Sequence, residues 1–446
     1  MAPGVDDVTA TGRLDGPAAA AQRENRVPSV VLGAARAGSV LGLGAAGRVD
    51  VERGCVASAQ VPYRVGSITK TFTAAVVLGL VQDGVLALDA PVSTYLAGTP
   101  FGEVPLRALL AHRGGVQREA PGDMWESMRG PDASTLRRAL PRAELVDRPG
   151  ARWHYSNLGY ALLGLVVEEV TGDSCAALIN RRLLAPLGLS ATVWARPEGA
   201  ACGYRVDPYA DVVHREPDMD QGAVGVGGQL WSNAADLLTW GDALAGGRPD
   251  VVAPAVVEAM HTLEVMVDRT AWTSGWGLGL ILERRGDRVL AGHTGAMPGF
   301  LASLSLDRAT RSVAVALSNA TRGAAVGALS ADLVDAVIDG RVGAEPEGDA
   351  APWVPLPEVP AELDGMLGRW WSEAAETVFT WRADGLHALM VGAPVTSETR
   401  FERLDRDIYR AVAGRFTGER LTVRRDPAGE VAALEWATYP FTRTPR

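Results

Sequence analysis

The strongest constraint on the fold is a change of hydrophobic period along the chain. Ser29–Ala35 and Ser39–Ala45 are apolar runs split by Arg36-Ala37-Gly38, the pattern of a β-hairpin. Residues 100–260 then read mainly in the helical period, with patterns over Leu106–Ala111, Ser134–Ala139, Tyr160–Val170, Cys175–Leu184 and Ala234–Ala245. From Gly277 the chain returns to strands, at Gly277–Glu283, Arg288–Gly292, Leu301–Leu306 and Ser312–Leu317, and a helix follows over Ala324–Ile338. A strand pair, a helical block, a strand meander and a closing helix fit an α+β fold. One antiparallel sheet is built from both ends of the segment and flanked by helices, with a helical subdomain inserted. The strand ending at Gly292 would then meet the helix that starts near Ser67 at the junction of the two parts, a usual place for a pocket.

The boundaries follow from composition. Residues 1–345 read as one domain. Residues 346–360 hold Pro346, Pro352, Pro355, Pro357 and Pro360 and read as a stiff linker. Residues 361–446 carry short strand patterns at Trp370-Trp371, Thr377–Arg382, His387–Val391, Ile408–Ala411, Leu421–Arg425 and Val431–Trp436, which predict a small antiparallel β barrel. This barrel is expected to form one wall of the substrate cleft, because a long substrate needs more surface than the core pocket offers.

The bulk chemistry excludes some partners. The chain is 47% hydrophobic with a formal charge of −10 and no basic run, which argues against nucleic acid and against an anionic membrane. Its three cysteines are scattered, so no disulfide framework is expected. The six histidines show no metal-ligand spacing, and no metal or cofactor is expected. The amino terminus lacks a basic and an apolar signal region, and no apolar run reaches the ~18 residues of a membrane span, so the expected location is cytoplasmic.

Within this frame three short stretches carry chemistry. Of the 43 Lys and Arg residues, Lys70 is the only lysine. It stands three residues after Ser67, at the start of a helical pattern running to Asp83. Arginine does not deprotonate at working pH, whereas a buried lysine can, so this position suits a site that gives and takes a proton. Positions i and i+3 share a helix face, which brings the Lys70 amine within reach of the Ser67 hydroxyl. The second stretch is Tyr155-Ser156-Asn157, on a loop before an apolar helix. A tyrosine near an ammonium ion is expected to have a lowered pKa and to pass protons, and Asn157 could bond the lysine or a substrate amide. The competing reading is a packed loop tyrosine with Asn157 as helix cap. The third is His293-Thr294-Gly295-Ala296 at a strand end, where an edge strand could pair with a peptide and the N–H groups of Ser67 and Ala296 could hold an oxyanion. Gly172-Asp173-Ser174-Cys175-Ala176 looks like a nucleophile elbow but lacks its closing glycine, and reads better as a helix start.

Ser-x-x-Lys, Tyr-x-Asn and His-Thr-Gly in this order resemble the penicillin-binding-protein and class C β-lactamase family of serine hydrolases, over roughly residues 28–340. Leu109-Leu110-Ala111-His112 and Gly227-Gly228-Gln229-Leu230-Trp231-Ser232 are similar to the family as well. The resemblance implies a β-lactamase/transpeptidase-like fold with a lipocalin-like barrel after it. It implies Ser67 as nucleophile, Lys70 as its proton partner, Tyr155 as acid/base and Asn157 as support. His293 and Thr294 would bind a substrate carboxylate or relay protons, and Gly295, Ala296 and Trp231 would lie at the substrate. Histidine at position 293, where many β-lactamases of this class carry lysine, looks more like D,D-peptidases and their relatives. A member without an export signal and with a carboxy-terminal β domain resembles the stand-alone thioesterases that release and macrocyclise non-ribosomal peptides ending in a D-residue. The implied partner is a peptidyl thioester or ester, for which a carrier protein is one means of delivery. The alternatives are an esterase, a D-amino-acid amidase, a D,D-carboxypeptidase, a β-lactamase and, more distantly, an inactive ligand-binding relative.

Overall fold

A computed structural model describes residues 14–343 and 351–445. The chain divides into two compact units, one of residues 14–204 and 215–353 and one of residues 205–214 and 354–445. The stretch 205–214 thus belongs with the carboxy-terminal part, although nothing in its composition sets it apart. The acidic first half of the expected linker lies largely outside the described residues.

The first unit is built on a nine-stranded sheet whose named pairings are all antiparallel. Its strands are β1 (Ser29–Arg36), β2 (Ser39–Asp50), β3 (Cys55–Val56), β4 (Val265–Met266), β5 (Ser274–Trp276), β6 (Ile281–Arg285), β7 (Arg288–Met297), β8 (Phe300–Asp307) and β9 (Ser312–Ser318), ordered 3-2-1-9-8-7-6-5-4. The amino-terminal hairpin therefore joins the late meander through β1 and β9, with Val30 opposite Ser318 and Arg36 opposite Ser312. Every residue of β9 is buried, as expected for a strand covered on both faces. Val313, Val315 and Leu317 join the main core with Leu237 and Leu238 of one helix, Ala234–Leu244, while Ala314 packs with Ala331 and Val334 of another, Val326–Ile338. Alternate side chains of one strand thus serve helices on opposite faces. The run expected as one strand at Gly277–Glu283 is instead the turn that follows β5 and the first residues of β6. Gly277 and Gly279 break the ladder there, and a Cβ on Gly277 would stand 2.1 Å from the Met260 carbonyl oxygen.

Helix α1 (Thr69–Gln82) runs through the centre of this unit. Eleven of its side chains are buried, so it has no polar stripe and reads as a core helix. Helix α2 (Asn157–Thr171) packs beside it. Ser156 caps α2 by accepting from the Gly159 N–H, which displaces the expectation of Asn157 as cap. Ser174 likewise caps the short helix Cys175–Ile179, so the elbow-like stretch is a helix start. Among the described residues no helix is long and apolar enough to cross a membrane.

The second unit is an eight-stranded antiparallel barrel: β10 (Gly368–Ser372), β11 (Ala375–Arg382), β12 (Gly385–Met390), β13 (Thr399–Asp405), β14 (Ile408–Ala413), β15 (Arg420–Arg425), β16 (Val431–Trp436) and β17 (Tyr439–Phe441). The strands pair in chain order. Trp371 and Thr442 exchange two backbone hydrogen bonds, at 2.8 and 2.9 Å, that bring the first and last strands together. β13 and β17 carry no alternation or turn signal that sequence reading used. The turns before β11 and β17 hold Glu373-Ala374 and Ala437-Thr438 in left-handed conformations, where Asn-Gly is the usual signal.

Candidate active site

Three elements converge on Ser67. A tight 3₁₀ turn, Gly66–Ile68, leads into α1 and carries Ser67 at the helix amino end. The loop before α2 brings Tyr155, and α2 itself begins with Asn157. Strand β7 brings His293 to Ala296. The turn and the strand approach backbone to backbone: a Cβ on Gly295 would stand 1.9 Å from the Val65 carbonyl oxygen, and one on Gly66 would stand 2.9 Å from the Ala296 nitrogen. Gly66 also has φ +52°, in the left-handed region. The Ser67 and Ala296 backbones therefore adjoin, as an oxyanion pocket made of their two N–H groups requires.

Lys70 is fully buried. Its Nζ lies 3.1 Å from Ser67 Oγ, 2.8 Å from Asn157 Oδ1 and 2.6 Å from the Gly227 carbonyl oxygen. The Asn157 amide orientation is fixed because its Nδ2 donates to Glu119 Oε1 at 2.7 Å. Lys70 thus meets two groups that can only accept and one hydroxyl. As an ammonium ion it donates to all three. As a neutral amine it keeps the two acceptors and takes the Ser67 O–H on its lone pair. Neither protonation state leaves an orphan, which is what a group that exchanges a proton with Ser67 needs.

Burial lowers the Lys70 pKa to about 7, with Glu119 pulling it up and Arg118 pulling it down. Tyr155 donates its phenol hydrogen to Ser67 Oγ at 2.8 Å. Its pKa moves opposite to the sequence expectation: burial raises it, so the phenol stays protonated. His293 is also corrected. Burial and the Lys70 charge lower it to about 3, so it is neutral and offers a carboxylate no positive charge. Its Nδ1 lies 2.5 Å from the Thr294 carbonyl, which can only accept. The ring proton is therefore on Nδ1, and Nε2 is left as a buried acceptor with no partner among the described residues. Thr294 is exposed at the cleft. β7 is not an edge strand, since β6 and β8 flank it. Its pairing with β6 ends at Gly292, however, so residues 293–297 are open on that side and still able to receive an extended peptide.

Trp231 does not line the cleft. It is 2% exposed, paired in a short ladder with Arg64 and set edge-on against Phe300 at 5.3 Å, so it is a core residue. The sequence reading missed several groups that do meet the site. Glu119 and Arg118 sit on an aperiodic loop that announces nothing. Gly227 contributes a carbonyl, which no residue type reveals. His112 stacks on Tyr155 at 4.2 Å, and its Nδ1 accepts from the Ser156 N–H. Trp125, Trp153 and Trp276 line a cleft of about 340 Å³ together with Ser67 and Tyr155. His112 and Gly227 stand in stretches already singled out, and only their role was unread.

The family profile described as Beta-lactamase matches residues 14–337. The chain belongs to the beta-lactamase family. It therefore shares the fold of a family of serine hydrolases that includes penicillin-binding proteins, esterases and amidases. A second profile, Domain of unknown function (DUF7586), matches residues 359–443. Esterase EstB of Burkholderia gladioli is 29% identical over 379 residues, 75% of this chain and 96% of its own length. The structure of SurE is similar over 95% of this family member and 97% of its own chain, at 26% identity and a TM-score of 0.61. The D-stereospecific amidohydrolase from a Streptomyces species covers 72% of this chain and 98% of its own, at 26% identity and a TM-score of 0.60.

Proposed function

We propose that the protein is a stand-alone thioesterase that takes a peptidyl group ending in a D-residue onto Ser67 and releases it, in the main by macrocyclisation. The observation that carries the acyl-enzyme part is the single buried amine of Lys70, held against Ser67 Oγ and two fixed acceptors. Neutral Lys70 takes the Ser67 proton as Oγ attacks the carbonyl carbon. The oxyanion develops against the Ser67 and Ala296 N–H groups. When the tetrahedral adduct collapses, the leaving thiolate or alkoxide takes the Tyr155 proton, and the Lys70 ammonium ion returns a proton to the phenolate. An amine of the same peptide, or water, then attacks the acyl-enzyme with the two groups in reversed roles.

The preference for a D-configured acyl residue is supported by two neighbours. SurE has been crystallised with D-Leu, in a structure that covers 95% of this chain at 26% identity. The amidohydrolase is itself described as D-stereospecific. A second reading, hydrolysis of esters or of D-amino-acid amides, is favoured by the match to EstB. Mass spectrometry of products from a peptidyl thioester mimic separates the readings. A ring formed only from the substrate with a D-residue at its carboxy end supports the cyclase. A linear acid from either epimer supports the esterase and overturns the cyclase reading.

A further inference from the structure

The two ends of the carboxy-terminal barrel differ. At the end where β10 starts, Leu363, Met366 and Trp370 fill the interior, the Trp370 indole donates to the Met366 carbonyl at 2.8 Å, and the Arg443 guanidinium lies 3.9 Å above the Trp370 ring. That end is plugged. The opposite end is the one at which β10, β12, β14 and β16 finish. A cavity of about 410 Å³ opens there, lined chiefly by Met390, Phe416, Trp436, Tyr439 and Phe441, with Arg415 at its mouth.

An eight-stranded barrel has an interior just wide enough for its own side chains or for one small ligand. From this geometry we infer that the open end is a binding site for a small organic monoanion with an aromatic or acyl body. The aromatic wall is preorganised: Phe416 meets Trp436 edge-on at 5.3 Å and stacks with Tyr439 at 6.1 Å. Two of the lining residues, Trp436 and Ser372, each hold a buried polar atom, Nε1 and Oγ, that has no partner among the described residues. Trp436 is only 5% exposed, and its indole N–H can only donate, so what it lacks is an acceptor. An acidic or carbonyl oxygen is such a group. The Arg415 guanidinium stands exposed 4.8 Å over the Phe416 ring, with no ion-pair partner among the described residues. Glu373, exposed on the turn after β10, disfavours a second negative charge at the same rim.

The backbone is strained around this mouth. Among the described residues, five of the eleven non-glycine residues with positive φ are Glu373, Ala374, Phe416, Ala437 and Thr438, all in the turns at the open end. Such strain persists where the surrounding structure imposes it, and it concentrates at ligand clamps.

The test is a fluorescence titration of the full chain with 8-anilinonaphthalene-1-sulfonate, an aromatic monoanion, with Ser67 free and with Ser67 blocked by a fluorophosphonate. One saturable site is expected, with the same affinity in both samples. Arg415→Ala should weaken it about tenfold, as for one lost charge-assisted contact, and Arg415→Lys should recover part of the loss. Ala375→Trp, at an exposed rim position that leaves the interior intact, should block entry. Equal affinity in wild type, Arg415→Ala and Ala375→Trp would overturn the site. So would non-saturable uptake, which marks surface adsorption, or loss of binding on blocking Ser67, which places the probe in the other unit.

Discussion

At Lys70 a cation sits where water cannot reach it, beside a hydroxyl and two fixed acceptors, and its proton affinity has fallen by more than a thousandfold. The cost appears in the stability of the chain. Between pH 7 and about 10.4 the unfolded chain carries a proton on Lys70 that the folded chain has lost, so stability rises with pH across that window. Below it the penalty is full, on the order of 5 kcal/mol. Lys70→Met should remove this slope. The difference in unfolding free energy between wild type and variant, followed by urea titration, should move in favour of wild type from pH 7 to pH 10. A difference that is flat with pH would mean that Lys70 stays charged in the folded state. Glu119 tunes the same group through its charge. Glu119→Gln keeps an oxygen for the Asn157 N–H to donate to and removes only the charge. The acid limb of kcat/KM should therefore shift to lower pH with the maximal rate retained. A shift to higher pH, or a loss of rate at every pH, would show Glu119 acting otherwise.

The meeting of the Gly66–Ile68 turn and β7 is the element contact the site depends on, and at Gly66 and Gly295 it is backbone against backbone. Gly295→Ala would drive a methyl group into the Val65 carbonyl oxygen. Acylation of Ser67 should fall by about 100-fold, the scale seen when one oxyanion donor is lost, with a stability loss of about 1–3 kcal/mol. Normal acylation by Gly295→Ala would separate the oxyanion pocket from this contact. The same elements show what could be read in advance. The Ser67–Lys70 spacing, the apolar run behind it and the short apolar runs of β1, β8 and β9 are local patterns, and local patterns were legible. The Lys70 pKa was legible in kind, because the lone lysine of an arginine-rich chain stands three residues from a serine. The reversed shift of Tyr155 and the neutrality of His293 were not, because both follow from burial to which His112 and Trp276 contribute from other parts of the chain. Trp231 was misplaced for a related reason: pairing with Arg64 decides which way it faces. The turn before β17 holds Ala437 and Thr438 left-handed where glycine would announce it, so the sequence hides that hairpin.

At the scale of the whole chain, the second unit is not a simple appendage. Residues 205–214 lie within the sequence of the first unit, yet Ala210 bridges to Trp381 and Val212 to Leu356. Ending the chain after residue 350 therefore strands this segment without its partners. Such a truncation should melt at lower temperature and aggregate, whereas one that also replaces 205–214 by a short polar linker should recover the lost stability. Equal melting of the two truncations would show that the segment contributes nothing. The central claim, that a neutral Lys70 activates Ser67, is tested most directly by the rate of Ser67 acylation as a function of pH, read by intact-protein mass after rapid quench. The account predicts a rate that rises with a midpoint near pH 7 and levels above it. A rate that stays flat from pH 5 to 9, or that climbs only near pH 10, would contradict it.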